Sequence, residues 1–316
     1  MRERSYAIIG AGAVGGFYGG RLQRAGLDVH FLLHSDYEHV CAHGLFIESK
    51  DGDFALPSVQ VYRDAQAMPR CDVVAVTLKA TQNHILPDIL PHVLKDDGVV
   101  VLMQNGLGVE DDVARIVGPL RVMAGLCFLC SNKVGPGRIQ HLDYGTVCFA
   151  DYAADGAPRG VTERMRQIAA DFQRAGITVE LDEDLLTARW KKLVWNIPFN
   201  GLSVVLNATT TEMMADPDAR ALAEALMREV VADAAACGRQ IGKEFVQKML
   251  AYTAKMIPYR TSMKIDYDER RPMEVEAIYG NPLRAAKRAG ADSPRLEALY
   301  RQLKFMDARN AGLARA

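Results

Sequence analysis

The chain has 316 residues, of which 49% are hydrophobic and 24% charged, and its formal net charge is -1. This length suits two domains, and the balanced, scattered charge argues against a dedicated nucleic-acid binder. The apolar run after the charged N-terminal segment, residues 1–4, is cut short by a glycine loop, which predicts a first strand rather than a signal peptide. No apolar stretch approaches the length of a membrane span. We therefore expect a cytoplasmic protein that binds neither nucleic acid nor membranes.

The first half of the chain alternates apolar strand-like runs with helix-compatible stretches. After a first strand and helix, further strands are predicted at residues 28–33, 45–48, 54–61, 72–78, 99–103, 122–129, 137–149 and 177–181. Helices are predicted at residues 81–94 and 161–175. Strands that alternate with helices predict an α/β fold with a parallel, doubly wound sheet of the Rossmann type.

After about residue 182 the pattern becomes helical. Three pairs of an N-cap residue and a first-turn proline predict helix starts: Asp216-Pro217, Asn281-Pro282 and Ser293-Pro294. We therefore predict a dinucleotide-binding domain at residues 1–181 and an all-α substrate and catalytic domain at residues 182–316. The apolar and small residues at 217–237 suit either an interface, which would make a homodimer, or the core.

Cysteine and histidine usage points to neither disulfides nor a metal. The six cysteines are spread along the chain without a secretory signal, which predicts free thiols. Cys127 and Cys130 have redox-motif spacing, but they lie in an apolar run that is typical of a buried strand. His39 and His43 stand four residues apart without a third ligand nearby, which favours a solvated helix face over a zinc site.

The most informative motif is the run Gly10-Ala11-Gly12-Ala13-Val14-Gly15, placed between the first predicted strand and a helix. In this context the first glycine permits a tight turn and the second lets a pyrophosphate approach the backbone. The third lets the helix pack closely against the strand. The helix N-terminus adds N–H groups and a positive dipole end for phosphates. The loop therefore predicts a dinucleotide site.

A second feature lies within residues 185–206, which are predicted to form one helix. Lys192, Asn196 and Asn200 recur every four residues and so share one face of an otherwise apolar helix. Polar groups in apolar surroundings need partners. Two amides and a lysine without a carboxylate suit an anionic, hydrogen-bonding ligand better than a solvated stripe. Pro198 predicts a kink at this face.

Together with three further segments, these motifs resemble those of the ketopantoate reductases (2-dehydropantoate 2-reductases) over essentially the whole chain. The matching segments are, in chain order, residues 10–15, Val76-Thr77-Leu78-Lys79-Ala80, Gln104-Asn105-Gly106-Leu107-Gly108, Trp190-Lys191-Lys192-Leu193 with Asn196 and Asn200, and Thr261-Ser262-Met263 leading to Pro272-Met273-Glu274-Val275-Glu276. The resemblance implies NADPH-dependent reduction of the 2-oxo acid 2-dehydropantoate to pantoate. This is an oxidoreductase step on a CH–OH group in pantothenate and coenzyme A biosynthesis.

The resemblance also implies roles for individual residues. The implied catalytic residues are the general acid Lys192 and Glu274, which lies beside substrate and nicotinamide. The implied cofactor ligands are Gly10, Ala11, Gly12, Ala13, Val14, Gly15, His34, Lys79, Asn105 and Glu274. The implied substrate ligands are Lys192, Asn196, Asn200, Asn207 and Ser262.

Two positions depart from the family pattern. His34 stands where the family often has an arginine that meets the 2′-phosphate of NADP, and Tyr259 stands where an asparagine is common. The end of the second strand nonetheless offers no carboxylate before Asp36, which favours NADPH over NADH. Two alternatives stay open, a reductase of another 2-oxo acid and a non-catalytic protein that responds to a dinucleotide.

Overall fold

The computed structural model describes residues 4–315 of the chain, and the side chains of residues 4–312. Residues 1–3 of the charged N-terminal segment lie outside the described residues. The chain forms two compact units. One comprises the chain up to Gln104 and again Val109–Leu185, and the other comprises Asn105–Gly108 and the chain from Leu186 onward. In the part that the structure describes, no helix is both long and apolar enough to cross a bilayer.

The first unit is built on a mostly parallel sheet, in which β3–β4 and β8–β9 are antiparallel pairs. Its strands are β1 (Ser5–Ile9), β2 (Asp28–Leu32), β3 (Leu45–Ser49), β4 (Phe54–Leu56), β5 (Gln60–Tyr62), β6 (Cys71–Val76), β7 (Leu94–Leu102), β8 (Val122–Gly135), β9 (Arg138–Asp151) and β10 (Val179–Leu181). Their order in the sheet is β4-β3-β9-β8-β7-β6-β1-β2-β5, with β10 beside β9. The helices of this unit are α1 (Ala13–Arg24), α2 (Tyr37–His43), α3 (Leu86–Val93), α4 (Val109–Val117) and α5 (Glu163–Arg174).

Both faces of this sheet are buried. Along β1, Tyr6 and Ile8 belong to a core that includes residues of α1 and α5, whereas Ala7 and Ile9 belong to a second core with residues of α3 and α4. Successive side chains of a strand point to opposite faces, so the two cores cover the two sides of the sheet. Helices on both faces of a parallel sheet define the doubly wound arrangement and confirm the predicted fold class.

Two predicted elements of this unit were wrong in detail, and in each case prolines are involved. Residues 54–61 form two short strands, β4 and β5, because Pro57 between them cannot donate to a strand ladder. Residues 81–94 are a 3₁₀ turn at Ala80–Ile85 followed by α3, and Leu94 already opens β7. Pro87 suits the first turn of a new helix, so it starts α3 instead of continuing a longer one.

The second unit is helical, as predicted. Its helices are α6 (Leu185–Val205), α7 (Thr210–Ala215), α8 (Pro217–Ala236), α9 (Glu244–Thr253), α10 (Ser262–Asp268), α11 (Asn281–Arg288) and α12 (Pro294–Arg315). A π-helical turn, Glu276–Gly280, leads directly into α11. Asp216 caps α8 as predicted, since its carboxylate accepts bonds from Asp218 N at 3.0 Å and Ala219 N at 2.8 Å. The N-cap prediction for Asn281 was wrong, because Gly280 precedes it in helical conformation.

Candidate active site

The glycine loop between β1 and α1 is shaped by contacts that exclude side chains at two of its three glycines. Gly10 has a φ of 94°, and a Cβ on it would press against the Leu78 side chain. A Cβ on Gly15 would collide with the carbonyl oxygen of Gly10 and with Thr77. Around a Cβ on Gly12, no described atom beyond its chain neighbours comes within 4 Å. The first and third glycines thus serve the turn and the packing, and the second leaves room for a ligand.

The loop lies at the carboxyl edge of the parallel strands. Gly10 N donates to Leu32 O of β2, and Thr77 N donates to Ile9 O of β1, both at 3.1 Å. Among the described residues, no side chain caps the N-terminus of α1 at Gly12, and no acidic residue lies in its first turn. Such a helix end presents N–H groups and a positive dipole to an anion. Lys79 follows β6 at the same edge, so the loop and its surroundings fit a dinucleotide.

The carboxylate that follows β2 is already hydrogen-bonded to other groups of the protein. Asp36 is buried and accepts hydrogen bonds from Ser35 Oγ at 3.0 Å, Lys133 Nζ at 2.5 Å and Gly137 N at 3.1 Å. Burial would raise the pKa of Asp36, but the hydrogen bonds from Lys133 and Gly137 outweigh it and hold that pKa below its ordinary value. His34, by contrast, is exposed. No local sequence signal pairs Asp36 with residues of β8 and the β8–β9 turn.

In the second unit, the predicted face of α6 is buried. Lys192, Asn196 and Asn200 are 8%, 5% and 3% exposed, whereas Lys191 is partly exposed. This burial excludes a solvated stripe. Asn196 Nδ2 lies 3.5 Å from Asn105 Oδ1, which brings the short segment Asn105–Gly108 to the same face.

A third segment joins this face through the π-helical turn. Leu107 N donates to Ala277 O at 3.0 Å, and Tyr279 Oη donates to Ile197 O of α6 at 3.1 Å. Glu274, which is 4% exposed, stands just before this turn. The structure therefore gathers Lys192, Asn196, Asn105 and Glu274 on segments that bond to one another. Such π-helical turns often occur at functional sites.

Ser262 is tied to the same region and Asn207 is not. Thr261, the N-cap of α10, bonds to Ser203 Oγ at 2.7 Å, and Ser203 Oγ donates to Asn200 O at 2.9 Å. This chain of bonds links the start of α10, with Ser262 at its first position, to the turn of Asn200. Asn207 is exposed, follows the end of α6 and has a φ of 53°, a conformation typical of helix ends.

Sequence reasoning missed Tyr279 and Asn281 as parts of this arrangement. Tyr279 is fully buried beneath α6, and Asn281 Nδ2 donates to Leu107 O at 2.7 Å. Both bonds join residues more than 80 positions apart, since Tyr279 pairs with Ile197 at a separation of 82 and Asn281 with Leu107 at 174. A pattern read along one helix or strand carries no signal for such pairs.

Two features together define the class of protein. The first is a doubly wound α/β unit with a glycine loop at its carboxyl edge, and the second is a helical unit with a buried lysine, buried amides and a buried carboxylate. That class is the two-domain dinucleotide-dependent oxidoreductases. Two family models match this chain, Ketopantoate reductase PanE/ApbA over residues 6–154 and its C-terminal counterpart over residues 184–307. The chain belongs to the ketopantoate reductase family, which confirms the resemblance seen in its motifs.

Individual relatives agree over the full length. A 2-dehydropantoate 2-reductase of Nostoc sp. strain PCC 7120 is 61% identical over 310 residues, which cover 98% of this chain and 97% of that relative. The crystal structure of the 2-dehydropantoate 2-reductase from Geobacter metallireducens GS-15 has a TM-score of 0.91 at 39% identity, covering 95% of this chain and 99% of that one. That from Methylococcus capsulatus has a TM-score of 0.86 at 35% identity, covering 97% and 98%.

Proposed function

We propose that this protein reduces 2-dehydropantoate to pantoate with NADPH, a step of pantothenate and coenzyme A biosynthesis. The observation that carries the proposal is the 61% identity to a 2-dehydropantoate 2-reductase along nearly the whole of both chains. The reaction converts the ketone of a 2-oxo acid into a secondary alcohol, so it needs a hydride for the carbon and a proton for the oxygen.

The cofactor ligands lie at the carboxyl edge of the sheet and on the segment that follows β7. Residues 10–15 hold the pyrophosphate, His34 and Lys79 face the adenosine phosphate, and Asn105 contacts the cofactor as well. The open space at Gly12 and the α1 N-terminus without a side-chain cap among the described residues support this assignment. When bound, NADPH supplies the hydride that the 2-oxo carbon receives.

Lys192 stabilises and protonates the reduced oxygen. As the ketone becomes an alcohol, its oxygen gains negative charge, and an ammonium group beside it lowers the energy of that charge and donates the proton. The burial of Lys192 keeps water away, which strengthens this interaction. Lys191, on the neighbouring face and partly exposed, does not take part.

The other polar groups bind and orient the substrate. Asn196 and Asn200 hydrogen-bond to it from the same face of α6, and the Ser262 hydroxyl donates to its carboxylate. Glu274 accepts a hydrogen bond from a substrate hydroxyl or from Lys192 and contacts the cofactor. Asn207, whose φ and exposure match a helix end, serves to end α6 in this proposal.

A panel of 2-oxo acids, assayed with NADPH and with NADH by loss of cofactor absorbance, tests the proposal. We expect the highest kcat/KM for 2-dehydropantoate with NADPH. A higher value for another 2-oxo acid would instead favour a reductase with a different substrate, for which the buried Tyr259 would be the first residue to examine. Cofactor binding without turnover of any acid would favour a non-catalytic binding protein. The cytoplasmic location and the homodimer stay predictions.

A further inference from the structure

Arg63 directly follows β5, the strand that pairs with β2, and so lies beside the end of β2. β5 runs parallel to β2 with Tyr62 opposite Leu32, and Leu33 N donates to Tyr62 O at 2.9 Å. Arg63 therefore leaves the sheet at the carboxyl edge, where β2 also ends. Adjacent strands are about 4.8 Å apart, so the guanidinium can reach a ligand bound over the end of β2.

The Arg63 side chain is held by the first turn of α2. Its Cζ atom lies 5.0 Å from the centroid of the Tyr37 ring, and its Nη2 atom lies 3.2 Å from Glu38 Oε1. The side chain is 60% exposed, so much of the guanidinium stays accessible to a ligand. A planar guanidinium presents a fork of donors that matches the oxygens of a phosphate.

The end of β2 determines how a doubly wound protein treats the adenosine ribose. An acidic residue there binds the 2′-hydroxyl of NAD, whereas an arginine nearby accommodates the 2′-phosphate of NADP. Asp36 cannot act as that acid, because three donors already occupy its buried carboxylate. His34 cannot replace that arginine, because an imidazole lacks the paired N–H donors that bind a phosphate through two hydrogen bonds. Arg63 is the guanidinium that the sheet brings beside this strand end.

We propose that Arg63 binds the 2′-phosphate of the cofactor and thereby selects NADPH over NADH. This inference rests on the NADPH-dependent function proposed above. Glu38 holds the guanidinium beside Tyr37 and competes with the phosphate for it. The residue that selects the cofactor thus follows β5, whereas in the usual dinucleotide-binding arrangement it follows β2.

The test compares ligands that differ by the 2′-phosphate alone. Calorimetric titrations with 2′,5′-ADP and with 5′-AMP are made on the unmodified protein, Arg63→Ala, Arg63→Lys and the control Arg70→Ala. Arg70 is also an exposed arginine with one ion pair, 3.2 Å from Asp96, but it precedes β6 at the opposite edge of the sheet. We expect Arg63→Ala to weaken 2′,5′-ADP binding roughly tenfold or more, Arg63→Lys to weaken it less, and 5′-AMP binding to change little. Arg70→Ala should change neither.

The variant Glu38→Gln tests the proposal independently of any change at Arg63. It should raise the affinity for 2′,5′-ADP relative to 5′-AMP, because the competing carboxylate is removed. A fall in that ratio would overturn the proposal, as would Arg63→Ala weakening both ligands equally or neither. The kcat/KM ratio of NADPH to NADH should fall in Arg63→Ala by a similar factor. If the unmodified protein does not reduce 2-dehydropantoate, the proposed function fails, while the titrations still decide the role of Arg63.

Discussion

Lys192 and Lys191 are neighbours in the chain with contrasting surroundings. The first is 8% exposed and shares a face with Asn196 and Asn200, whereas the second is partly exposed. Burying a lysine side chain costs stability unless its charge is paired or hydrogen-bonded. The pair therefore offers a matched comparison between the lysine proposed to be catalytic and its more exposed neighbour on the same helix.

We expect Lys192→Ala to lower kcat by about 10²–10⁴, the usual contribution of a general acid. Binding of NADPH, followed by its fluorescence, should change little, because the proposed mechanism has the lysine act on the substrate oxygen. Lys191→Ala is the control and should keep nearly full activity. Turnover of Lys192→Ala within a few-fold of the unmodified enzyme would mean that another group donates the proton.

The amides on the same face should affect substrate binding rather than folding. Removing a ligand-facing amide costs roughly 1–2 kcal/mol, so Asn200→Ala should lower kcat/KM about 5–30-fold, mainly through KM. The melting temperature should stay close to that of the unmodified protein. A lower melting temperature with an unchanged KM would show that the Asn200 amide supports the fold instead.

Residues whose spacing is local were accessible to sequence reasoning. Lys192, Asn196 and Asn200 share a face because a helix repeats every 3.6 residues, and the glycine loop follows from its place between a strand and a helix. Tyr279, Arg63 and Lys133 were not accessible. Their importance depends on partners that the fold brings from far along the chain, and no periodic pattern records such pairs.

At the scale of elements, α6 and the π-helical turn pack closely against each other. Tyr279 donates to Ile197 O at 3.1 Å, between the turns of Asn196 and Asn200. Gly201 makes this contact possible, because a Cβ there would lie 2.9 Å from Tyr279 Oη and 2.7 Å from the Leu299 side chain. The close approach of this turn to α6 therefore depends on the absence of a side chain at Gly201.

Gly201→Ala should destabilise the protein by about 1–3 kcal/mol, since an added methyl group in a packed core forces its neighbours to move. Thermal and urea unfolding would measure the loss. Gly312→Ala is the matched control, because Gly312 lies in α12 and, apart from its chain neighbours and the nearby backbone of that helix, no described atom would come within 4 Å of its Cβ. That variant should be neutral or slightly more stable, as alanine favours a helix. Equal effects of the two substitutions would contradict the packing explanation.

The start of α8 and the helical character of the second unit could be predicted, because capping residues act locally. Residues 54–61 and 81–94 could not be divided correctly, since prolines can either interrupt a segment or open a new one. Asn281 was misread for a different reason. A π-helical turn has no recognised sequence pattern, so a start signal inside a continuous helical stretch looks like an ordinary N-cap.

At the scale of the whole molecule, stability should depend on a buried carboxylate of α8. Asp233 is 1% exposed and accepts from Ser293 Oγ at 2.5 Å, while its Oδ2 atom has no hydrogen-bond partner among the described residues. Burial raises the pKa of Asp233 to about 6, opposed by the Ser293 hydrogen bond and supported by the charge of Glu229. The folded state thus favours the protonated acid, and the unfolded state releases its proton near pH 4.

It follows that this group stabilises the fold below about pH 4 and that its contribution is lost as pH rises toward 6. A pKa change from 3.8 to about 6 corresponds to roughly 3 kcal/mol at most. The melting temperature of Asp233→Asn should therefore increase relative to that of the unmodified protein as the pH rises from 4 to 7. Asp292→Asn, an exposed neighbour of Ser293, is the control and should show no such trend. A pH-independent difference for Asp233→Asn would refute the explanation.

The segment Asn105–Gly108 has a consequence for how this chain can be divided. It lies in sequence between β7 and α4, yet Leu107 exchanges hydrogen bonds with Ala277 and Asn281 of the helical unit. No single cut of the backbone yields both units with their own contacts intact. A chimera that grafts this helical half onto a foreign nucleotide-binding half would have to transplant these four residues too. Neither half can therefore be exchanged as one contiguous segment.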